Sequence, residues 1–195
     1  MSFCRHSTIL ILLLTIAVSG CTAKKGQEVF AMTNYTKALE RTAPETMGTV
    51  PPGSEDEKRA IDRFMSFYAV FSGDVIKKNV RDVYADNAYF RDGTKEVEGL
   101  DDIAAYFLKS ADTVHTCTFD IKDIAVHDGN YYFRWIMHLT TKRWKDQPMK
   151  PVGMSHVRFN GNGKIVFHQD YWDSTIIYEK APIVGTIIRW IKKQF

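Results

Sequence analysis

Apolar residues fall along this chain in three regimes, each with its own spacing. The first is unbroken: Thr8 to Val18 is a run without charge, preceded by Arg5 and His6. A bilayer span takes about 20 apolar residues, whereas a run of roughly 7–15 after a basic start reads as the core of a signal peptide. The second regime is helical. Ser54-Glu55-Asp56-Glu57 has capping-box form. Ile61, Phe64, Met65, Tyr68 and Phe71 then recur at helical spacing, which predicts an amphipathic helix ended by Gly73-Asp74. Ile76, Val80, Val83 and Tyr84 predict a second helix, and Ile103 and Phe107 with Tyr106 a third after Gly99. The third regime is alternation. Thr118 to Val126 alternates about Phe119 and Ile121, and Asp128-Gly129 signals a hairpin turn. Tyr131 to Thr141 is a long aromatic strand. Val152 to Phe159 and Lys164 to Asp173 are two more, joined by Asn160-Gly161-Asn162-Gly163. Ala88 to Asp92 is a short strand ahead of the third helix.

Helices followed by a run of strands predict an α+β domain, with three helices packed on one face of a curved antiparallel sheet. Pro51-Pro52-Gly53 cannot continue a helix or a central strand, so the domain is placed at 54–180. Residues 21–53 read as a tether, in which Val29, Phe30, Met32, Tyr35 and Leu39 make a weakly ordered helical pattern. Residues 181–195 form a separate element. Ala181-Pro182 can open a helix, and Ile183, Val184, Ile187, Ile188, Trp190 and Ile191 make it broadly apolar beside Arg189, Lys192 and Lys193. A basic amphipathic helix of this kind lies in a membrane interface. Packing across the sheet or onto a second copy, as a homodimer, is the other reading.

Composition narrows the function classes. The 195 residues are 45% hydrophobic and 13% aromatic, too rich in core formers for a disordered chain. Basic residues number 26 against 23 acidic, a balance that excludes a nucleic-acid binder driven by bulk charge. Three cysteines exclude a disulfide-dense scaffold.

Val18-Ser19-Gly20-Cys21 resembles a bacterial lipobox: an aliphatic residue, two small residues, then cysteine. The resemblance implies that residues 1–20 are a lipoprotein signal peptide, that Cys21 is the lipidation site, and that palmitate-type acyl chains hold the protein on a membrane. Each buried methylene is worth about 0.8 kcal/mol and stable anchoring takes two chains, so a triacylated cysteine is an effectively permanent anchor. Thr22, where an Asp would retain the protein at the inner membrane under the enterobacterial sorting rule, implies the outer membrane with the domain facing the periplasm. Cys4 leaves with the signal and Cys21 is consumed. Cys117 then stands alone and is read as a small buried apolar residue.

The domain resembles the NTF2-like superfamily, which includes ketosteroid isomerases and polyketide cyclases of the SnoaL type. The likeness rests on Phe71-Ser72-Gly73-Asp74, on Tyr84-Ala85-Asp86-Asn87-Ala88, on Gly99 with Ile103 and Phe107, and on Val157 to Ile165 around the late hairpin. It covers about residues 58–173. It implies a cone whose open end leads to an apolar pocket between sheet and helices. It also implies that Asp92 falls where the isomerases keep their general base. Ser66 and Ser155 fall about where those enzymes place a Tyr and a protonated Asp to hold an oxyanion. The substitution of both donors by short hydroxyls argues against steroid isomerisation.

The densest candidate chemistry is Phe167-His168-Gln169-Asp170-Tyr171-Trp172-Asp173. Alternation on a strand puts His168, Asp170 and Trp172 on one face, and by resemblance that face lines the cone. An imidazole beside a carboxylate can act as an acid–base pair, orient a ligand, or anchor the sheet as a buried polar pair. His168, Asp170 and Asp92 are the catalytic candidates, Asp92 being equally readable as a turn residue. Tyr68, Phe90, Phe133, Trp135, Met137, Ser155 and Trp172 are the candidate pocket lining. No Gly-rich phosphate loop or nucleophile elbow is present, and His-x-Asp lacks a third ligand, so no metal or cofactor is expected. Three readings follow: a lipid-anchored binder of a hydrophobic small molecule; a cofactor-independent isomerase, cyclase, dehydratase or hydrolase; and a scaffold whose cone is filled by its own side chains.

Overall fold

The computed structural model describes residues 34–195. The signal segment, Cys21 and the first part of the expected tether lie outside the described residues. The chain begins with a helix over 34–41 (α1) and the short α2 (Pro44–Met47). Three longer helices follow: α3 (Glu55–Ala69), α4 (Gly73–Val83) and α5 (Leu100–Thr113). The strands are β1 (Tyr84–Arg91), β2 (Glu96–Glu98), β3 (Val114–His127), β4 (Asn130–Thr141), β5 (Val152–Phe159) and β6 (Ile165–Trp172). Two helices close the chain, α6 (Thr175–Tyr178) and α7 (Pro182–Lys192). The six strands form one curved sheet in the order β2-β1-β6-β5-β4-β3.

The expected cap at the start of α3 is present. Ser54 Oγ accepts from Glu57 N–H, and Glu57 reaches back to Gly53 N–H rather than to Ser54 itself. Its second carboxylate oxygen accepts from Tyr131 on β4, so the cap also fastens helix to sheet. The inner face of α3 carries Phe64, Phe67 and Tyr68, all buried, and Phe64 stacks on Phe133 of β4 with ring centroids 4.1 Å apart. Such an aromatic pair adds about 0.5–1.5 kcal/mol beyond its area burial. Ile76, Val80 and Val83 of α4 and Ile103 and Phe107 of α5 complete this core.

Four expectations change. Gly73-Asp74 does not stop a helix but starts one: α3 ends at Ala69, and Ser72 caps α4 by accepting from Val75 N–H. Tyr84 is the first residue of β1, not the end of the helical stripe before it. The sheet is mixed rather than antiparallel, because β1 pairs with β6 in parallel. Part of the stretch 21–53, expected as a tether, packs on the domain instead. Tyr35, Ala38 and Leu39 of α1 pack with Tyr89 and Phe167 on the outer face of the sheet. Arg158 of β5 clamps α1 there by donating to Leu39 O and Thr42 Oγ1. Val50 is wholly buried in the main core.

Candidate functional site

Where β3 and β4 curl away from α5, the helices and sheet leave a cavity of about 260 Å³. Its wall is mostly apolar and carries eight aromatic rings, with Asp92, Thr94, Ser110, Thr113 and Asp170 as its polar members. Tyr68 comes from the last turn of α3, Phe71 from the link to α4, Phe90 from β1, Tyr106 and Phe107 from α5, Phe119 from β3, Trp135 from β4 and Trp172 from β6. Met137, Leu139, Cys117 and Ile177 fill the gaps between the rings. Burial pushes the Cys117 thiol up to about 12, so it behaves as an apolar group and not as a nucleophile. Two larger hollows, about 550 and 520 Å³, lie on the surface and are lined largely by charged and polar side chains.

One chain of polar groups crosses the wall. Trp135 Nε1–H donates to Ser155 Oγ at 3.0 Å, and Ser155 donates to Asp170 Oδ1 at 2.5 Å. His168 Nε2 lies 2.9 Å from the same oxygen. A carboxylate oxygen only accepts, so Nε2 carries a proton, and in the neutral ring Nδ1 is then an acceptor. Tyr84 OH donates to Nδ1 at 2.6 Å, and Tyr68 OH lies 2.6 Å from Tyr84 OH, placed to donate to it. Burial raises both phenols well above the ordinary tyrosine value, and for Tyr68 the neighbouring Tyr84 and Asp170 add to the effect. The chain thus runs in one direction, from Tyr68 through Tyr84 and His168 to Asp170.

Only the two ends of this chain reach the cavity, Tyr68 at one and Asp170 at the other. His168 is completely buried and does not line it. The imidazole is boxed in by Phe64, Tyr68, Tyr84 and Phe90 instead of projecting into the hollow. Asp170 presents a 14% exposed side chain to the cavity, and among the described residues no donor meets its Oδ2. The pair is therefore split: a carboxylate at the wall, with one oxygen fixed and the other open, and an imidazole behind it.

The remaining candidates divide. Tyr68, Phe90, Trp135, Met137 and Trp172 line the cavity as expected. Phe133 does not; it belongs to the core behind, against Phe64. Ser155 is also behind the wall, bordering only a separate void of about 10 Å³, with its hydroxyl committed to Asp170. Ser66 is exposed on the far side of α3 and borders one of the surface hollows. Asp92 reaches the cavity wall, but both carboxylate oxygens are occupied. Oδ1 accepts from Thr94 N–H, Thr94 Oγ1 and Lys95 N–H, which closes the β1–β2 turn, and Oδ2 accepts from Tyr106 OH. Sequence reasoning missed Tyr84 as a member of the site. It also left out Phe71, Phe119, Leu139 and Ile177 as lining. Among the described residues no group of three His, Cys, Asp or Glu side chains is placed to hold a metal ion.

A family profile for the SnoaL-like domain matches residues 61–168. The chain belongs to the SnoaL-like family. Solved structures agree on the fold. A proposed SnoaL-like polyketide cyclase from Shewanella putrefaciens CN-32 superposes with a TM-score of 0.54 at 12% identity, covering 67% of this chain and 98% of that one. A hypothetical protein of ketosteroid isomerase-like fold from Catenulispora acidiphila, solved with trimethylamine, gives 0.53 at 11% identity over 68% of this chain and 94% of its own. A proposed isomerase from Bacillus subtilis gives 0.51 at 18% identity over 64% and 91%. No curated protein sequence matches the chain. At these identities the likeness is one of fold, and SnoaL-like folds serve both binding and catalysis, so function rests on the cavity itself.

Proposed function

We propose that this is a lipoprotein, anchored through Cys21 in the outer membrane, whose SnoaL-like domain binds a compact hydrophobic molecule carrying a hydrogen-bond donor. The observation that carries the reading is Asp170, whose Oδ2 meets no donor among the described residues, in a mostly apolar wall. An apolar enclosure with a few convergent polar groups is the usual form of a small-molecule site, and 260 Å³ falls just below the roughly 300–1,000 Å³ such sites span, which is why the ligand is compact. The aromatic wall supplies affinity by burial; Asp170 and Tyr68 orient the ligand. Native mass spectrometry of the full chain, with extraction of any retained small molecule, tests this. A bound apolar compound, displaced in Asp170→Asn, is expected. Recovery of none, with no thermal shift across a panel of small apolar amines and alcohols, overturns it. The anchor has its own test: mass spectrometry of the mature N-terminus should find acylated Cys21, and an intact 1–20 segment overturns that part alone.

The ordered chain from Asp170 to Tyr68 favours a second reading, acid–base catalysis without a cofactor. Asp170 Oδ2 would take a proton from the substrate, and His168 would hold the carboxylate in place as a positioning residue. Under this reading Asp170→Asn keeps ligand affinity and loses turnover, whereas a pure binder loses affinity alone.

A further inference from the structure

A helix on the surface of a globular domain turns its apolar stripe inward and its charges to water. α7 does the reverse. At 100° per residue, Ile183, Val184, Ile187, Ile188, Trp190 and Ile191 share an arc of about 160°, and Gly185, Arg189, Lys192 and Lys193 lie on the other side. It is the second side that meets the domain. Gly185 is the buried residue of the helix, so close to Glu179 that an added Cβ would lie 2.0 Å from its carbonyl oxygen. Arg189 donates to that same carbonyl at 2.7 Å, and Lys192 pairs with Asp173 and Glu179. The apolar arc faces outward: Ile183 is 78% exposed, Ile187 53% and Trp190 63%, with Ile188 at its edge half-buried, and Phe195 just beyond the helix is fully exposed.

We propose that α7 lies in the plane of an anionic lipid surface, with this arc sunk among the acyl chains. Four features choose that occupant. The arc is wide, as a planar interface requires, whereas a two-helix seam uses a narrower stripe. Arg189 and Lys192 are held by Glu179 and Asp173, but Lys193 meets no carboxylate among the described residues, and no acidic residue occurs from 180 to 195, which suits anionic headgroups. Trp190 is a residue type that concentrates at the membrane boundary. The helix has 11 residues, about 16 Å, too short to cross a hydrocarbon core of about 30 Å but able to lie along it. Ile177, in the α6 turn that α7 grips, lines the cavity, so the lipid surface would sit beside the ligand site. The proposal does not depend on what the cavity binds.

The test is amide hydrogen exchange on the full chain, read locally at residues 182–195, so that the apolar run at 8–18 cannot mimic the result. Vesicles of phosphatidylcholine alone are compared with vesicles that also contain phosphatidylglycerol. The expected result is exchange slowed about tenfold or more at 182–195 by the anionic vesicles. Ile187→Asp with Trp190→Asp should abolish that slowing without lowering the melting temperature, since both side chains are exposed. Lys193→Gln, which removes one charge and no apolar area, should weaken vesicle binding about fivefold. Vesicle association with no local slowing overturns the proposal. So does equal slowing on neutral vesicles. Slowing without lipid that grows with protein concentration also overturns it, because a second copy would then cover the face.

Discussion

Ser155 and Asp170 stand opposite one another across β5 and β6, and the serine hydroxyl donates to the carboxylate oxygen that His168 also meets. Two donors share one oxygen, and among the described residues none meets the other. Ser155→Ala removes one of them and also orphans the buried Trp135 Nε1–H. A buried unsatisfied group costs about 1–3 kcal/mol. Ser155→Ala and Asp170→Ala should each destabilise by that order in urea denaturation. The double variant should cost clearly less than the sum, with a coupling of about 0.5–3 kcal/mol. Additive losses would show that the bond does not hold the carboxylate.

Gly153 sits opposite Trp135 in the β4–β5 register, and a Cβ there would lie 2.2 Å from the indole ring. The glycine is what lets Trp135 lie across β5 and reach Ser155. Gly153→Ala should therefore lose about 1–3 kcal/mol through overpacking. It should also change the tryptophan fluorescence as the ring moves against the cavity. An unchanged denaturation midpoint would mean that the ring is held by something else.

Much of this architecture was legible in the chain. The late hairpin at 160–163 and the bounds of β5 followed from turn chemistry and alternation, and the start of α3 from its cap. Boundaries went wrong where two signals overlap. Gly73-Asp74 resembles a stop, but Ser72 ahead of it is the stronger start. Tyr84 keeps the apolar spacing of α4 while already extended. β2 is three residues with two glutamates, too short and polar to show a period. The site was harder, because alternation assigns His168 a face but not a depth. What buries it is the parallel pairing of β1 with β6, which brings Tyr84 to the imidazole, and no local pattern encodes that pairing. The packing of α1 was hidden for the same reason: its anchor, Arg158, lies more than a hundred residues away.

Acid should reveal a different histidine. Burial, with the nearby Arg158 and His168 adding to it, holds His156 down to about 4, against an ordinary value near 6.5. The folded state thus refuses a proton that the unfolded chain accepts. The stability at stake is complete above about pH 6.5 and falls as the pH drops to about 4, by roughly 3 kcal/mol. His156 Nε2 donates to Asn130 Oδ1, and glutamine can retain that bond. His156→Gln should flatten the stability profile between pH 6.5 and 4. A profile identical to that of the parent would sink the assignment.

Cys117 lines the cavity yet should resist alkylation. With its thiol pushed up to about 12, the thiolate fraction at pH 8 is roughly a thousandfold or more below that of the unfolded chain. Peptide mapping after iodoacetamide treatment, with and without denaturant, should show Cys117 labelled only once the fold is lost. Rapid labelling of the native protein would mean that the cavity is wetter than its lining implies.

The clamp of Arg158 on Leu39 and Thr42 also sets a leash length. With α1 fastened to the sheet, an anchor at Cys21, as proposed, would be joined to the domain through residues 22–33. Fully stretched, such a run spans about 40 Å, where one reaching to residue 53 would span about 110 Å. Under the proposed anchoring the domain would stay within roughly one molecular diameter of the bilayer, near enough for its other end to touch the same leaflet.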